Sequence, residues 1–282
     1  MNLLSQFLPS SFDRQRSIAI IAGKDVYPRL TFEAIQSHGI KVFLIGFEGE
    51  TSHDLISKFP SDRVDIIKVG QLGRLIRSIR RTQVGYAIMV GQITPRRIFR
   101  GLHPDLRALK ILKTLKQTNA HSLFGAISRE IENEGVKVLD ARAFLDQEIT
   151  EEGLMVGRLP IMMEDHITHG IKIAKKCSQM NIGQGVVIRK GTVMAVEAFE
   201  GTDEMLRRAG NFTTDKMIFI KTSGPCQDFR FDVPVFGITT LKVMHKSKIN
   251  VACLEAGKTI ILEKSKVLDF ASEWGICIYG FS

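Results

Sequence analysis

The sequence has few cysteines and few large aromatic side chains. Its 282 residues include four Cys, one Trp and three Tyr. The cysteines are far apart and form no C-x-x-C pair, which argues against a structural zinc site and fits reduced thiols packed as small hydrophobes. The shortage of Trp and Tyr, and the lack of any zinc-finger, RRM or KH signature, argue against sequence-specific nucleic-acid binding.

Long apolar runs are also missing. No stretch approaches the about 18 apolar residues that a membrane-spanning helix needs, and the first residues lack the charged, apolar, small-residue order of a secretory signal. We therefore expect a cytoplasmic protein. With 282 residues, 44% of them hydrophobic, the chain is long enough for two folded domains.

Acidic residues are outnumbered by basic ones, and the formal net charge is +9. Such an excess favours an anionic partner: a nucleic acid, an acidic membrane surface or a phosphorylated substrate. Two arginine clusters stand out: Arg74, Arg77 and Arg81 at helical spacing, and Arg96, Arg97 and Arg100 after the fourth predicted strand. Both suit phosphates or an anionic surface, and a solvated basic face is the alternative for each.

The first half of the chain alternates between strand-like and helix-like segments. Predicted strands are 17–23, 41–47, 64–70 and 86–91, and predicted helices are 28–38, 71–82 and two within 105–134. This alternation predicts βαβ units around a buried parallel sheet. We therefore predict an α/β fold with a Rossmann-like N-terminal domain over 17–150, preceded by an extension over 1–16.

The second half, 151–282, predicts a mixed α/β domain. Its predicted elements are a helix over 165–179, a hairpin at 189–191, a helix over 202–209, strands near 216–222 and 228–235, a second hairpin at 255–257, and a final helix and strand.

Gly23 follows the first predicted strand, where a glycine lets backbone N–H groups approach a phosphate. The G-x-G-x-x-G fingerprint is absent, which argues against a dinucleotide-binding oxidoreductase. A tight strand-to-helix turn explains Gly23 equally well.

Acidic residues precede the predicted helix at 202–209. Glu197, Glu200 and Asp203 leave a strand and face a helix start, an arrangement that suits a metal ion and a phosphate. Ordinary helix capping by Thr202 or Asp203 is the alternative.

The stretch "QDFRFDVPVFG" at 227–237 gives the strongest local pattern. If extended, it places Phe229 and Phe231 on one face and Asp228, Arg230 and Asp232 on the other. Such a polar row either lines a cleft on an edge strand or is simply solvated.

Five motifs in this order resemble the LpxI family: "IAGKDVYP", "KVGQLGRLIR", "DLRALKIL", "NIGQGVVIRKGTVMAVEAFEGTDEMLRRAG" and "QDFRFDVPVFG". The resemblance runs from about Ser17 to the end of the chain. It implies a two-domain enzyme of lipid A biosynthesis that hydrolyses UDP-2,3-diacylglucosamine with Mg²⁺ to UMP and 2,3-diacylglucosamine 1-phosphate. It also implies attack of water on the β-phosphate, a substrate held between the domains, and a homodimer.

The resemblance places the essential aspartate of the R-x-D-x-P motif at Asp232. We expect Asp232 to hold Mg²⁺ or to accept a proton, Arg230 to contact phosphate, and Asp228 to support either one. Glu197 is a second candidate Mg²⁺ ligand. The candidate substrate-binding residues are Gly23, Lys24, Gly91, Gln92, Gln184, Gly201, Thr202 and Asp203.

The chain departs from the family pattern at two places. Asp25 stands where relatives have a glycine, and Ala120-His121 stands where many have a pair of aspartates. Loss of the acidic pair removes a metal ligand or a substrate contact. A non-catalytic protein that binds a nucleotide sugar or a lipid is therefore the alternative function.

A lipid substrate suggests a role for the first residues. Leu3, Leu4, Phe7 and Leu8 would form an apolar helical face that attaches peripherally to the anionic inner membrane. An extension packed on the protein body, or a disordered one, is the alternative.

Overall fold

The computed structural model describes residues 4–93, 104–115, 120–159, 164–212 and 215–282. Internal contacts divide the chain into two compact units. The first unit is Met1–Asp146 with Asp228–Asp232, and the second is Gln147–Gln227 with Val233–Ser282. A short segment from late in the sequence therefore belongs to the N-terminal unit.

The first unit contains a parallel five-stranded sheet in the order β3-β2-β1-β4-β5. The strands are β1 Ile18–Ala22, β2 Val42–Phe47, β3 Val64–Ile67, β4 Tyr86–Val90 and β5 Lys137–Val138. Every residue of β1, β2 and β4 is buried, as expected for strands that are covered on both faces. The predicted Rossmann-like sheet is confirmed.

Helices of the first unit follow the apolar spacing of the sequence. They are α1 Tyr27–Ser37, α2 His53–Ile56, α3 Leu72–Thr82, α4 Leu106–Thr114 and α5 Ala120–Glu132, with a short 3-10 helix at Ser61–Arg63. In α3, Leu72, Leu75, Ile76 and Ile79 are buried, because a spacing of three and four places them on one face. Pro28 is the second residue of α1, in the first turn, where its missing N–H has no helical partner to lose.

The strand order reverses at β1, which has β2 on one side and β4 on the other. The loops that follow β1 and β4 therefore leave the carboxyl edge of the sheet at a topological switch point. This is where open α/β sheets bind ligands.

The second unit contains a mixed six-stranded sheet in the order β6-β13-β11-β9-β7-β8, and a parallel pair β10-β12. The strands are β6 Gly153–Val156, β7 Gly185–Arg189, β8 Thr192–Val196, β9 Met217–Lys221, β10 Val235–Phe236, β11 Ile249–Glu255, β12 Ile260–Ile261 and β13 Cys277–Phe281. Strands β9, β11 and β13 are parallel, whereas β7 runs antiparallel to β8 and β9. The predicted hairpin at 189–191 is confirmed.

The helices of this unit are α6 Glu164–Gln179, α7 Thr202–Gly210, α8 Ile238–Lys246 and α9 Lys264–Glu273, and a 3-10 turn spans Asp146–Glu148. The helices predicted at 165–179 and 202–209 match α6 and α7 within a residue, and the predicted final helix is α9. Helix α8 was not predicted. One side of the sheet packs Phe219, Phe236, Leu241 and Met244 into a fully buried core. The other side packs Ile188, Ile218 and Ile220 beneath α6.

Two predicted elements of the second half are wrong. Residues 228–232 form a turn, and of the strand predicted near 228–235 only Val235 lies in a ladder, as the first residue of β10. The predicted hairpin at 255–257 does not form, because β12 pairs with β10 while β11 pairs with β9 and β13. In 228–232, alternation of apolar and charged residues predicts a strand, but hydrogen bonds to Asp228 fold the chain into a turn.

The predicted apolar helix near the N-terminus is also wrong over the residues that the structure describes. Residues 4–16 contain turns and bends without a helix, and Ser5 is buried. This corresponds to the alternative, an extension packed on the protein body; Leu3 lies outside the described residues. Over the described part of the chain, no helix has both the length and the apolar character to cross a membrane.

Candidate active site

Residues 228–232 form a turn that is closed around Asp228. The backbone carbonyl of Asp228 accepts hydrogen bonds from the N–H groups of Phe231 at 3.2 Å and Asp232 at 2.9 Å. The Asp228 carboxylate accepts a third from the Arg230 N–H at 3.1 Å. An aspartate side chain that binds the backbone two residues ahead is a common turn former, so the sequence D-F-R favours this geometry. We call residues 228–232 the acidic turn.

Arg230 is held by two carboxylates. Its Nε and Nη2 donate to Asp228 at 3.0 and 2.8 Å, and its Nη1 donates to both oxygens of Glu132 at 3.0 and 2.9 Å. Glu132 lies at the end of α5 and was missed by sequence reasoning, because nothing local distinguishes it from neighbouring acidic residues. The phosphate contact predicted for Arg230 stays a prediction, since these bonds use at least three of its five N–H donors.

These bonds change the acidity of the turn. Burial disfavours the charged form of Asp228, but hydrogen bonds from the Arg230 side chain and backbone outweigh it and lower the pKa of Asp228. The pKa of Arg230 is raised, above all by its hydrogen bond with Asp228. Asp228 and Arg230 are therefore both charged at neutral pH.

The other side of the acidic turn is apolar. The Phe231 ring stacks 6.0 Å from that of Phe124 and meets the His121 ring edge to face at 5.5 Å. His121, one of the positions predicted to depart from the family pattern, thus lies against the turn. A positive charge on this ring would be a minor cause of the lowered pKa of Asp228. Asp232 ends the turn and is half-buried.

The loops after β1 and β4 meet at the switch point of the sheet. The Lys24 N–H donates to the Gln92 carbonyl at 2.8 Å. A Cβ on Gly23 would lie 2.5 Å from that carbonyl oxygen, and one on Gly91 would lie 2.6 Å from the Lys24 carbonyl oxygen. Both glycines are therefore needed for the approach of one backbone to the other, whatever else the loops bind. Asp25 has a φ of 76°, in the left-handed region that favours glycine.

A second polar cluster lies in the second unit at the start of α7. The Thr202 hydroxyl donates to Glu197 Oε1 at 2.7 Å and accepts from Lys221 Nζ at 2.8 Å. Lys221 is buried, and its Nζ is 3.9 Å from Glu197 Oε2. Lys221 was missed, because a single lysine in a β-strand has no motif around it. The Mg²⁺ role of Glu197 stays a prediction.

The other candidates in this unit have mainly backbone or capping contacts. Gly201 precedes α7 as its N-cap with a φ of 84°, so the predicted side-chain cap by Thr202 or Asp203 is wrong. Asp203 accepts a hydrogen bond from the Thr240 hydroxyl at 2.9 Å. The Gln184 carbonyl accepts from the Thr222 N–H at 2.9 Å. Their substrate-binding roles stay predictions.

Of the two arginine clusters, only the first is described. Arg74, Arg77 and Arg81 are exposed on α3, and Arg81 pairs with Asp65 at 2.8 Å. Their exposure fits both a solvated basic face and an anionic partner, so the predicted role stays a prediction. Arg96, Arg97 and Arg100 lie outside the described residues.

Magnesium chemistry can be tested against the donors present. The described residues contain no group of three or more His, Cys, Asp or Glu side chains placed to hold a metal. Mg²⁺ commonly needs only one or two carboxylates, with water and substrate phosphates completing its coordination. The half-buried Asp232 carboxylate is a ligand of the right kind, so the acidic turn fits this ion.

Fold and site together define a class of protein: a two-unit α/β protein in which two loops meet at the switch point of a parallel sheet, and an acidic turn from late in the chain joins the same unit. Profiles of the LpxI N-terminal and C-terminal domains match residues 17–148 and 151–279, so the chain belongs to the LpxI family. The chain is 26% identical over 278 residues to UDP-2,3-diacylglucosamine pyrophosphatase LpxI of Caulobacter vibrioides, covering 94% of this chain and 97% of the relative.

Proposed function

We propose that this protein hydrolyses the pyrophosphate bond of UDP-2,3-diacylglucosamine to UMP and 2,3-diacylglucosamine 1-phosphate, as an enzyme of lipid A biosynthesis. The observation that carries the proposal is the acidic turn, whose carboxylates and guanidinium are fixed in the first unit. The full-length match to the LpxI family and to a relative named for this activity supports it.

The proposed reaction is attack of water on the β-phosphorus. The water oxygen bonds to phosphorus as the bond to the bridging oxygen breaks, and UMP leaves with that oxygen. Asp232 either accepts the water proton or holds Mg²⁺. The bound ion would neutralise charge on the transferring phosphoryl group.

Asp228 and Glu132 have a different part in this proposal. They hold the Arg230 guanidinium in a fixed position, and the three groups together carry one net negative charge. A guanidinium fixed in this way would hold the shape of the turn that carries Asp232. It would also present its remaining N–H donors to phosphate.

A single-turnover assay with UDP-2,3-diacylglucosamine, with and without Mg²⁺, tests the proposal. We expect Mg²⁺-dependent release of UMP, and a loss of at least about 100-fold in Asp232→Asn, because a carboxylate essential to proton transfer or metal binding is removed. Substrate binding should be retained. Asp65→Asn, which breaks a surface ion pair in the same unit, is the matched control and should keep full turnover.

Two outcomes would contradict the proposal. Tight binding of the substrate without hydrolysis by the wild-type protein would mean a non-catalytic nucleotide-sugar or lipid-binding protein. Full turnover in Asp232→Asn would remove this residue from the mechanism.

We further propose that the protein forms a homodimer, as the family resemblance implies. Sedimentation equilibrium measures the oligomeric state.

We also propose peripheral contact with an anionic membrane surface, through the outer face of α4 instead of the N-terminal segment. Leu106 and Leu109 are exposed on this face, Leu106 by 81%, and Lys110 and Lys113 are exposed beside them. Exposed leucines among lysines suit an interface of acyl chains and anionic headgroups. Co-sedimentation with anionic vesicles measures this contact.

A further inference from the structure

The segment before β1 is packed on the first unit, and the proposed reaction gives it no role. Within residues 4–16, the Phe12 ring lies 4.7 Å from the Tyr86 ring. The Tyr86 hydroxyl accepts a hydrogen bond from the Asp13 N–H at 2.8 Å and donates one to the Ser11 carbonyl at 3.4 Å. These contacts hold the segment in place over the body of the unit.

Earlier in the same segment, Phe7 covers one face of a guanidinium. The Arg142 guanidinium lies 4.3 Å from the centre of the Phe7 ring and 3.7 Å from the centre of the Phe229 ring. Its Nε and Nη2 donate to Asp140 at 3.0 and 2.6 Å, and the side chain is only 12% exposed. A planar cation fixed at its edge by a carboxylate and covered on its faces by aromatic rings is held strongly.

Phe229 is part of the acidic turn, so this stack connects the N-terminal segment to the turn. The backbone makes a second connection at the same place. The Ala141 N–H donates to the Phe229 carbonyl at 2.8 Å, and the Ala141 carbonyl accepts from the buried Tyr27 hydroxyl at 2.6 Å. The turn therefore packs on residues 140–142 through the Ala141 hydrogen bond and the stacking of Arg142 on Phe229.

We propose that Phe7 and Arg142 are positioning residues for Asp232: the Phe7–Arg142–Phe229 stack holds the acidic turn in its reactive geometry. Asp232 is three residues from Phe229, and neither Phe7 nor Arg142 belongs to the turn. The catalytic part of this proposal rests on the proposed pyrophosphatase function. The part concerning the geometry of the turn does not.

Kinetics of stack variants test the catalytic part. Arg142→Met keeps a long side chain but loses the planar cation, and Phe7→Leu loses the ring. We expect kcat to fall about 10- to 100-fold in Arg142→Met and less in Phe7→Leu, with KM changed less than about threefold, because a displacement of about 1 Å at a reacting group costs up to about 100-fold. Phe7→Tyr restores the ring and should restore kcat.

Hydrogen exchange at the turn tests the geometric part without any assay of activity. The N–H groups of Phe231 and Asp232 are bonded to the Asp228 carbonyl, so loosening of the turn should speed their exchange in Arg142→Met and Phe7→Leu. Arg16→Met is the matched control, since Arg16 lies 5.6 Å from the Tyr86 ring and stacks on no residue of the turn. It should change neither exchange nor kcat.

The proposal is overturned if Arg142→Met and Phe7→Leu match Arg16→Met in exchange at Phe231 and Asp232. Faster exchange with unchanged kcat would overturn the catalytic part alone. If the wild-type protein does not turn over the substrate, the proposed function fails, and the exchange experiment still decides whether the stack holds the turn. If Arg142→Met does not fold, the comparison of Phe7→Leu with Phe7→Tyr, in exchange and in kcat, decides whether the stack positions the turn.

Discussion

At the scale of single residues, the Glu255 carboxylate accepts hydrogen bonds from four residues of the second unit. It is buried at the end of β11 and accepts from the Thr222 hydroxyl, from the N–H and hydroxyl of Ser223, and from Lys175 and Lys258, at 2.6–2.9 Å. Burial would raise its pKa, but these hydrogen bonds outweigh burial and lower the pKa from 4.5 to about 2. Thr222 and Ser223 directly follow β9 and begin the chain segment that precedes the acidic turn in sequence. Glu255 therefore fixes the first residues of that segment.

We predict that Glu255→Gln destabilises the protein at neutral pH by about 2–3 kcal/mol, because the buried donors lose a charged acceptor. A carboxylate whose pKa is lower in the folded than in the unfolded protein stabilises the fold at every pH above its unfolded pKa. This contribution disappears as the pH falls through its folded pKa. The difference between wild type and variant should therefore be full at pH 7 and shrink between about pH 4.5 and 2. Urea unfolding at several pH values measures it. Glu204→Gln, at an exposed pair, should show neither effect.

The candidate residues of the acidic turn could be chosen from sequence, but their partners could not. Asp228, Arg230 and Asp232 lie in one short motif, whereas Glu132 and Arg142 are about ninety residues away and belong to no motif of their own. Pairing of distant side chains depends on the fold, which local periodicity does not encode. For the same reason, the bond of Lys221 to Thr202 had no signal in the sequence.

At the scale of elements, helical glycines show where a helix approaches a sheet most closely. In α6, a Cβ on Gly170 would collide with Ile220 Cδ1 and lie 2.7 Å from Ile188 Cδ1, and both isoleucines are fully buried. In α5, a Cβ on Gly125 would meet nothing closer than 3.7 Å. The first glycine is thus required by packing, and the second is not.

We predict effects of opposite sign for the two alanine variants. Gly170→Ala should lower the free energy of unfolding by about 1–2 kcal/mol, because overpacking outweighs the gain in helix propensity. Gly125→Ala should raise it by about 0.5–1 kcal/mol through helix propensity alone. Chemical denaturation of the two variants beside wild type measures both. Equal changes of the same sign would show that α6 adjusts its distance from the sheet at little cost.

Elements with strong apolar periodicity were predictable, and the short polar connection was not. The parallel strands and amphipathic helices of the first unit depend on burial of apolar residues, which the sequence pattern displays. In residues 228–232 the alternation of Phe with charged residues matched a strand equally well. The Asp228 bonds to the backbone N–H groups of the turn decided against it.

At the scale of the whole molecule, the acidic turn is separated in sequence from the unit to which it belongs. The contact units change between Asp146 and Gln147, but residues 228–232 join the first unit while their neighbours on both sides belong to the second. The sequence pattern predicts a single division of the chain, near residue 150, which places the turn with the second half. A division by composition cannot detect a five-residue return of the chain, because the return is fixed by contacts such as Ala141 with Phe229.

The net charge of +9 leads to a prediction for the whole protein on lipid. We expect binding to vesicles that contain anionic phospholipid, no binding to neutral vesicles, and loss of binding as salt rises, because headgroup attraction contributes about 1 kcal/mol per lysine near the surface. Reversing two charges on α4 with Lys110→Glu and Lys113→Glu should weaken binding at least about tenfold, and Leu106→Ser with Leu109→Ser should weaken it by removing apolar contact. Lys242→Glu with Lys246→Glu makes the same change of charge on the exposed side of α8. An equal loss of binding in this control would assign the attraction to net charge alone and remove α4 as the membrane-contacting surface.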